Sequence, residues 1–522
     1  MSRFRRAIHG VVSSYVLLGA TAVYALATVS VALHYLDKER FGLWALMGSL
    51  INYLSLIDAG MNGAAGRLII DHKDDRDGGN YGSLIQTGWL VSLTQGLIIL
   101  VIGLVCAPAV FRMLAIPAEL RSEFLQLAYL QCAVTALNFA TRIFNMMLYV
   151  HQRMELMNYI GTFSLAVNFV AMWLFFHLGF GVVSLAWGGL CALVPSVICQ
   201  GMACSRLNLF PARTGWGRPS WFQFKAIFAF GKDLFLVAVG WQLMMASQTI
   251  IITRLLGLEV AALWFLGLRV FNLVSQVVWR MADMSAPALA EMMARGESGR
   301  LRERYQSLAM LTASFSGFLA VSFALCNSLF IPLWTHDKFH WPVLNDGMLG
   351  LWLVVLSLQH CHSAFVLITK KIGFMRYVYF VEGVVFISLS FLVAHRGGLP
   401  AIIACSVACN LTFSGAYCAW RIARYFKISL REVALDWLQP MFKVLLCYLP
   451  AAALTWLLLA PASLLTQLIL HALLAGSLGF YLLLRFGVPG TFQDELLRRA
   501  PAGIIPLLKR MFHRMGNGSP GL

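Results

Sequence analysis

The sequence predicts an all-α polytopic membrane protein of about fourteen transmembrane helices: two parallel six-helix bundles and a C-terminal helix pair. Composition, the recurrence of apolar runs and the placement of basic residues carry this prediction. Apolar residues make up 59% of the 522 and charged residues 12%, with mean hydropathy +0.74. Soluble domains hold about 25% charged and about 45–50% apolar residues, so the chain lies outside that class.

A helix crossing the hydrocarbon core needs about 20 mainly apolar residues. Runs of this kind fall at 10–36, 41–62, 83–107, 124–149, 157–178 and 181–203. The first follows Arg3, Arg5 and Arg6 and exceeds a signal-peptide core in length, so a retained helix is expected. A polar stretch separates these from runs at 234–257, 260–282, 307–333, 347–369, 377–395 and 400–420. Two more, at 441–460 and 463–484, precede a basic tail.

Basic residues test this map, because loops on the cytoplasmic side are enriched in Lys and Arg. With the N-terminus in the cytoplasm, 31 of the 40 Lys and Arg residues fall on that side. Six fall on the other: Lys38, Arg40, Arg112, Arg121, Lys338 and Arg396. Arg142, Arg254 and Arg269 lie inside helices. The bias predicts a multi-pass membrane protein with both termini cytoplasmic. It also accounts for the +17 net charge as orientation, so no nucleic-acid partner is expected.

The eleven cysteines are scattered through apolar segments without zinc spacing. Cys405 and Cys409 read as packing residues, and His360-Cys361-His362 as an interface, so no metal or other cofactor is expected. Gly231-Lys232-Asp233 lacks the upstream glycine of a phosphate loop. No extramembrane segment is long enough for a soluble catalytic domain, which argues against an enzyme. A transporter driven by an ion gradient, the membrane potential or its substrate's own gradient fits better.

A shift of 220 residues lays Leu36–Leu46 on Leu256–Leu266 with five identities in eleven, among them Glu39/Glu259 and Trp44/Trp264. Asn52 falls on Asn272 at the same offset. Six helices per half is an even number, so the halves share one orientation, a parallel repeat. The expected organisation is a bundle at 1–203, a cytoplasmic linker at 204–233 and a bundle at 234–420. A helix pair at 421–484 and a basic tail at 485–522 follow.

Leu36 to Arg67 contains Phe41-Gly42-Leu43-Trp44 and Leu56-Ile57-Asp58-Ala59-Gly60-Met61. The second half contains Phe230-Gly231-Lys232, then Pro287-Ala288-Leu289-Ala290-Glu291 before a charged loop from Arg300 to Tyr305. In these features the chain resembles the polysaccharide-transporter (Wzx-type) flippases of the multidrug/oligosaccharidyl-lipid/polysaccharide exporter superfamily. The resemblance implies flipping of an undecaprenyl-pyrophosphate-linked oligosaccharide to the outer leaflet for cell-surface polysaccharide synthesis. It implies alternating access of two bundles around a cationic cavity. Membrane lipids, a polysaccharide polymerase and glycosyltransferases are the further partners it suggests. Drug or metabolite antiporters of the same fold form the competing branch. A membrane polymerase or ligase would need a larger outer loop than 108–123 or 334–346, where His336, Asp337 and His340 are the only catalytic candidates.

Intramembrane charges are costly and usually face a polar interior. Arginine keeps its charge when desolvated and binds phosphate bidentately. Arg269, Arg142 and Arg254 are therefore the expected substrate-binding residues. Arg254 could instead snorkel or pair with Glu259, and Arg142 could pair with a neighbouring helix. Arg269 could also belong to a structural ion pair. Asp58, Arg67 and Glu382 are the candidates for coupling or gating. Their structural alternatives are close helix packing around Gly60, Gly63 and Gly66 and, for Glu382, pairing with Lys371. His34 falls on Arg254 in the repeat. The tail from Gln493 to Met515 carries Arg498, Arg499, Lys509, Arg510 and Arg514 among apolar residues, a pattern suited to an anionic leaflet.

Overall fold

Every regular element of the described residues is helical, and twelve of the helices are long and apolar enough to cross a membrane. The computed structural model describes residues 3–72, 79–211, 215–369 and 371–499, with 505–506 and 511–512. The count differs from the fourteen expected runs at two places. The run at 124–149 is divided at Arg142 into Arg121–Thr141 and Ile143–Val150. Gln126, Gln131 and Asn138 dilute the apolar character of the longer piece. The runs at 377–395 and 400–420 lie on either side of a break within the stretch Met375–Phe426, which counts as one span. It bends at Gly398, where φ is 57°, two residues before Pro400, because proline disfavours helical backbone before it and donates no hydrogen bond.

The chain divides into two compact units, Met1–Phe265 and Leu266–Leu522. In the first, small residues set the helix spacing. A Cβ at Gly96 would stand 2.6 Å from the Ala136 carbonyl, and one at Gly188 would stand 2.9 Å from Asn168 and Met172. Asp37 caps Lys38–Leu54 by accepting from the Arg40 N–H at 2.8 Å. Arg40 Nε and Nη2 both reach Glu123, at 2.8 Å, which ties this helix to the start of Arg121–Thr141. The repeat-related segments touch one another here. Gly42 lies against the Leu258 carbonyl with no room for a Cβ, and Phe265 meets Phe41 and Trp44 edge-on at 5.7 and 5.0 Å.

The second apolar run does not continue as one helix. Lys38–Leu54 passes into a 3₁₀ turn, Ser55–Asp58, then Ala59 (φ 48°) and Gly60 (φ 72°), and the helix restarts at Met61–His72. The expected packing stripe of Gly60, Gly63 and Gly66 is therefore replaced. Gly60 belongs to the turn and meets Gly231 backbone to backbone, a Cβ there lying 3.1 Å from the Gly231 carbonyl. A Cβ on Gly63 would meet nothing within 4 Å, and one on Gly66 would touch Met146 at 3.6 Å.

In the second unit Ser298–Trp334 is the central helix, with 67% of its apolar stretch buried. It packs on Val343–Ile368, Gln439–Leu459 and Leu464–Leu474. Gly350 sits 3.1 Å (as a built Cβ) from the Ala320 carbonyl, and Gly317 fits under Met441. The helix Gly490–Arg499 joins the same element through a Thr491–Ser307 hydroxyl bond of 2.9 Å and an Arg304–Glu495 ion pair of 3.3 Å. It holds the first part of the expected amphipathic tail; Lys509, Arg510 and Arg514 lie outside the described residues.

Large apolar side chains cover the outer helix faces, among them Val105, Leu392 and Leu446, each at least 70% exposed. A surface of this kind belongs in lipid, where helices satisfy their own backbone groups. The chain is a multi-pass membrane protein.

Candidate functional site

The break in the fourth run positions the main polar site of the first unit. Arg142 stands between Arg121–Thr141 and Ile143–Val150, and its guanidinium is consumed on three edges. Nη1 binds the Asp58 carboxylate at 2.5 Å, Nε donates to Ser92 Oγ at 3.0 Å, and Nη2 donates to Gln95 Oε1. The Phe139 ring lies beneath, 4.5 Å from Cζ. The 3₁₀ turn supplies the other half. It ends on Asp58, whose carboxylate also accepts from the Asn62 N–H at 3.3 Å. Gln95 Nε2 donates to the carbonyls of Ile57 at 2.9 Å and Asp58 at 3.2 Å, satisfying backbone groups near the helix break. The side chains of Arg142 and Asp58 are only 13% and 26% exposed. Two residues read separately from sequence, one for substrate and one for coupling, are thus partners in one ion pair.

Arg142 also forms part of the wall of a polar cavity of about 210 Å³. Liquid water occupies roughly 30 Å³ per molecule, so the space equals about seven waters. Asn138, Thr141 and Asn145 flank Arg142 on one side; Ser164 and Asn168 come from Met154–His177, and Ser196 and Gln200 from Ser184–Arg206. Their spacings repeat at three, four or seven residues, which puts each set on one helix face. Thr141 donates to the Leu137 carbonyl at 2.7 Å, Ser164 to that of Ala192 at 3.4 Å, and Gln200 to Ser196 Oγ at 3.3 Å. The side-chain amides of Asn138, Asn145 and Asn168 take no hydrogen bond from the described residues, so their donors and acceptors remain for whatever enters. With the Arg142 charge balanced by Asp58, the cavity offers neutral hydrogen-bonding groups.

The other expected residues lie elsewhere. Arg254 is exposed in the last turn of Ser247–Leu256 and makes no ion pair with Glu259. Arg67 is exposed on Met61–His72, 4.0 Å from Asp71. Arg269 is half-buried on Leu258–Ala294 in the second unit, with its Nε shielded from solvent. Glu382 does not pair with Lys371, which is exposed. It is buried, and its carboxylate accepts from Asn410 Nδ2 at 3.2 Å and from the Ser414 N–H at 3.1 Å. Ser414 lies in the π-helical turn Leu411–Gly415, a widened turn that often marks functional positions. Glu382 has no cationic partner among the described residues.

Sequence reasoning passed over a second buried carboxylate. Asp346, in the first turn of Val343–Ile368, is fully buried and accepts from Asn327 Nδ2 and Trp341 Nε1, each at 2.7 Å. It pins the connection that carries His336, Asp337 and His340, all three exposed. His362 lies buried, bonded to Tyr305 Oη at 2.6 Å. His360 stacks on Trp279 and approaches Asp283 at 3.0 Å. The cavity amides and Gln95 were also missed, although Asn138, Arg142 and Asn145 at i, i+4 and i+7 form a polar stripe visible in an apolar run.

Comparison with known proteins completes the picture. Solved structures share the fold at low identity. An inward-facing multidrug-resistance MATE transporter of the MOP superfamily is 14% identical with a TM-score of 0.65, over 78% of this chain and 96% of that one. An outward-facing member is 15% identical with a TM-score of 0.60, over 81% and 96%. A MATE protein in its straight conformation is 16% identical with a TM-score of 0.58, over 80% and 96%. No curated protein matches the chain. Residues 34–343 match the family described as polysaccharide biosynthesis protein. The chain therefore belongs to the polysaccharide biosynthesis protein family and has the fold of the MOP-superfamily transporters.

Proposed function

We propose that this protein is a flippase that exports an undecaprenyl-pyrophosphate-linked oligosaccharide from the inner to the outer leaflet of a bacterial inner membrane. Its termini lie in the cytoplasm and its helical bundles act by alternating access. The observation that carries this is the amide-lined cavity inside a lipid-facing helix bundle, in a chain of the polysaccharide biosynthesis family. Each sugar hydroxyl left unpaired in hydrocarbon costs several kcal/mol, roughly 2–7, and cavity amides remove that cost. Arg269, in the second unit, is the proposed contact for the pyrophosphate, and Arg254, exposed in the first unit, is a separate candidate. Arg142, with its charge already balanced, is the residue that orients the cavity wall. An inside-negative potential drives an anionic head group outward by about 2.3 kcal/mol per charge per 100 mV. Glu382, buried without a cationic partner, is the proposed coupling carboxylate for any proton or cation gradient. Glycosyltransferases that build the glycan and a polymerase that extends it are the proposed partners.

A second function for the same fold is export of cationic drugs, favoured by the likeness to MATE transporters. A cavity lined by neutral amides, hydroxyls and Arg142, with the nearby Asp58 carboxylate held by that arginine, offers a cation little. Deletion of the gene decides between the two: export of lipid-linked glycan predicts its accumulation in the inner leaflet, reversed by the intact chain. Normal surface polysaccharide with raised drug sensitivity would reverse the assignment.

A further inference from the structure

We infer that the cavity walled by Asn138, Arg142, Asn145 and Asn168 is a subsite for one uncharged sugar residue of the exported glycan, and that it excludes acidic sugars and free phosphate; this rests on the proposed function. Three features argue for it. The volume, about 210 Å³, suits one ring-sized polar group and falls below the roughly 300–1,000 Å³ of pockets for larger ligands. The amides of Asn138, Asn145 and Asn168 each carry donors and an acceptor on one group, which matches hydroxyls and acetamido groups that do both at once. Finally, Arg142, the one cation among the described residues of the wall, is held by Asp58 at 2.5 Å, with Ser92 and Gln95 on its remaining edges. An anion entering the cavity would have to compete with a carboxylate already in place.

The test uses the full chain in lipid nanodiscs, free of sugar-based detergent, with saturation-transfer NMR as the readout. The probes are the methyl glycosides of glucose, galactose and N-acetylglucosamine, methyl glucuronide, and inorganic pyrophosphate. At least one neutral glycoside should bind, and neither methyl glucuronide nor pyrophosphate should displace it. Asn138→Leu and Asn168→Leu should each weaken that binding about tenfold, the loss of one or two net hydrogen bonds. Gly189→Leu is the second variant. A Cβ at Gly189 makes only ordinary contact with Val134, at 3.9 Å, so a leucine there has room to enter, fills the cavity and should abolish binding. Failure of every neutral glycoside to bind, competition by glucuronide or pyrophosphate, or unchanged binding by the Gly189→Leu chain each overturns the subsite. Glycoside binding needs no export. Binding in a chain that does not move lipid-linked glycan would retain the subsite and reject the flippase, and export without binding would do the reverse.

Discussion

Replacing Asp58 with Ala would leave Arg142, whose side chain is 13% exposed in the pair, with no counter-charge. Removing one member of a buried pair costs about 3–5 kcal/mol. Arg142 keeps Ser92, Gln95 and the Phe139 ring, so the lower end, about 3 kcal/mol, applies. At about 2–4 °C per kcal/mol, the midpoint of thermal unfolding should fall by at least about 6 °C. Cys132 and Cys204 are buried in the same unit, and their reaction with a thiol dye on heating reports the transition. Arg142→Met alone should cost less, because Asp58 is 26% exposed and reaches water. Combining the two changes should recover about 2 kcal/mol relative to their sum, the coupling expected of residues in direct contact. An Asp58→Ala protein as stable as the parent, or costs that simply add, would refute the ion pair as the brace of the broken helices.

Other substitutions separate backbone contact from side-chain chemistry. Gly231→Ala forces a Cβ to 2.7 Å from the Ala59 carbonyl and should destabilise by about 1–3 kcal/mol; Gly63→Ala, open within 4 Å, should stabilise its helix by roughly 0.5–1 kcal/mol. The same thermal assay checks both. Asp346→Ala removes the acceptor shared by Asn327 and Trp341 and should cost about 1–3 kcal/mol, with Asp346→Asn milder; equal losses for the two variants would contradict the hydrogen-bond account. Glu382→Gln keeps the shape and one of the two accepting oxygens that Asn410 and Ser414 use. It should leave export in proteoliposomes indifferent to an imposed proton or sodium gradient, and an undiminished gradient response would remove Glu382 from coupling.

The features legible in the sequence were those with a period or a bias. Apolar runs of spanning length, the Lys/Arg asymmetry and the 220-residue repeat lie along the chain and need no tertiary information. The turn at Ser55–Gly60 was not legible, because an alanine at φ 48° carries no compositional mark. Arg142 and Asp58 were each singled out as unusual, yet their pairing across 84 residues depends on how helices meet. For Glu382, a coupling candidate, the sequence offered only the nearer Lys371 as a partner, while its donors come from 28 and 32 residues downstream. The cavity was partly visible. Its stripe of Asn138, Arg142 and Asn145 was read for the charge alone, and the amides beside it were overlooked.

Transbilayer movement of the proposed substrate is the most direct test of the central claim. The purified chain would be reconstituted into liposomes carrying undecaprenyl-pyrophosphate linked to a short neutral oligosaccharide, with a membrane-impermeant lectin reporting head groups on the outer face. The account predicts protein-dependent appearance of the glycan outside, accelerated by a potential that is negative inside and lost in the Arg269→Ala chain. Lectin signal no greater than in protein-free liposomes, from a correctly folded chain, would contradict it.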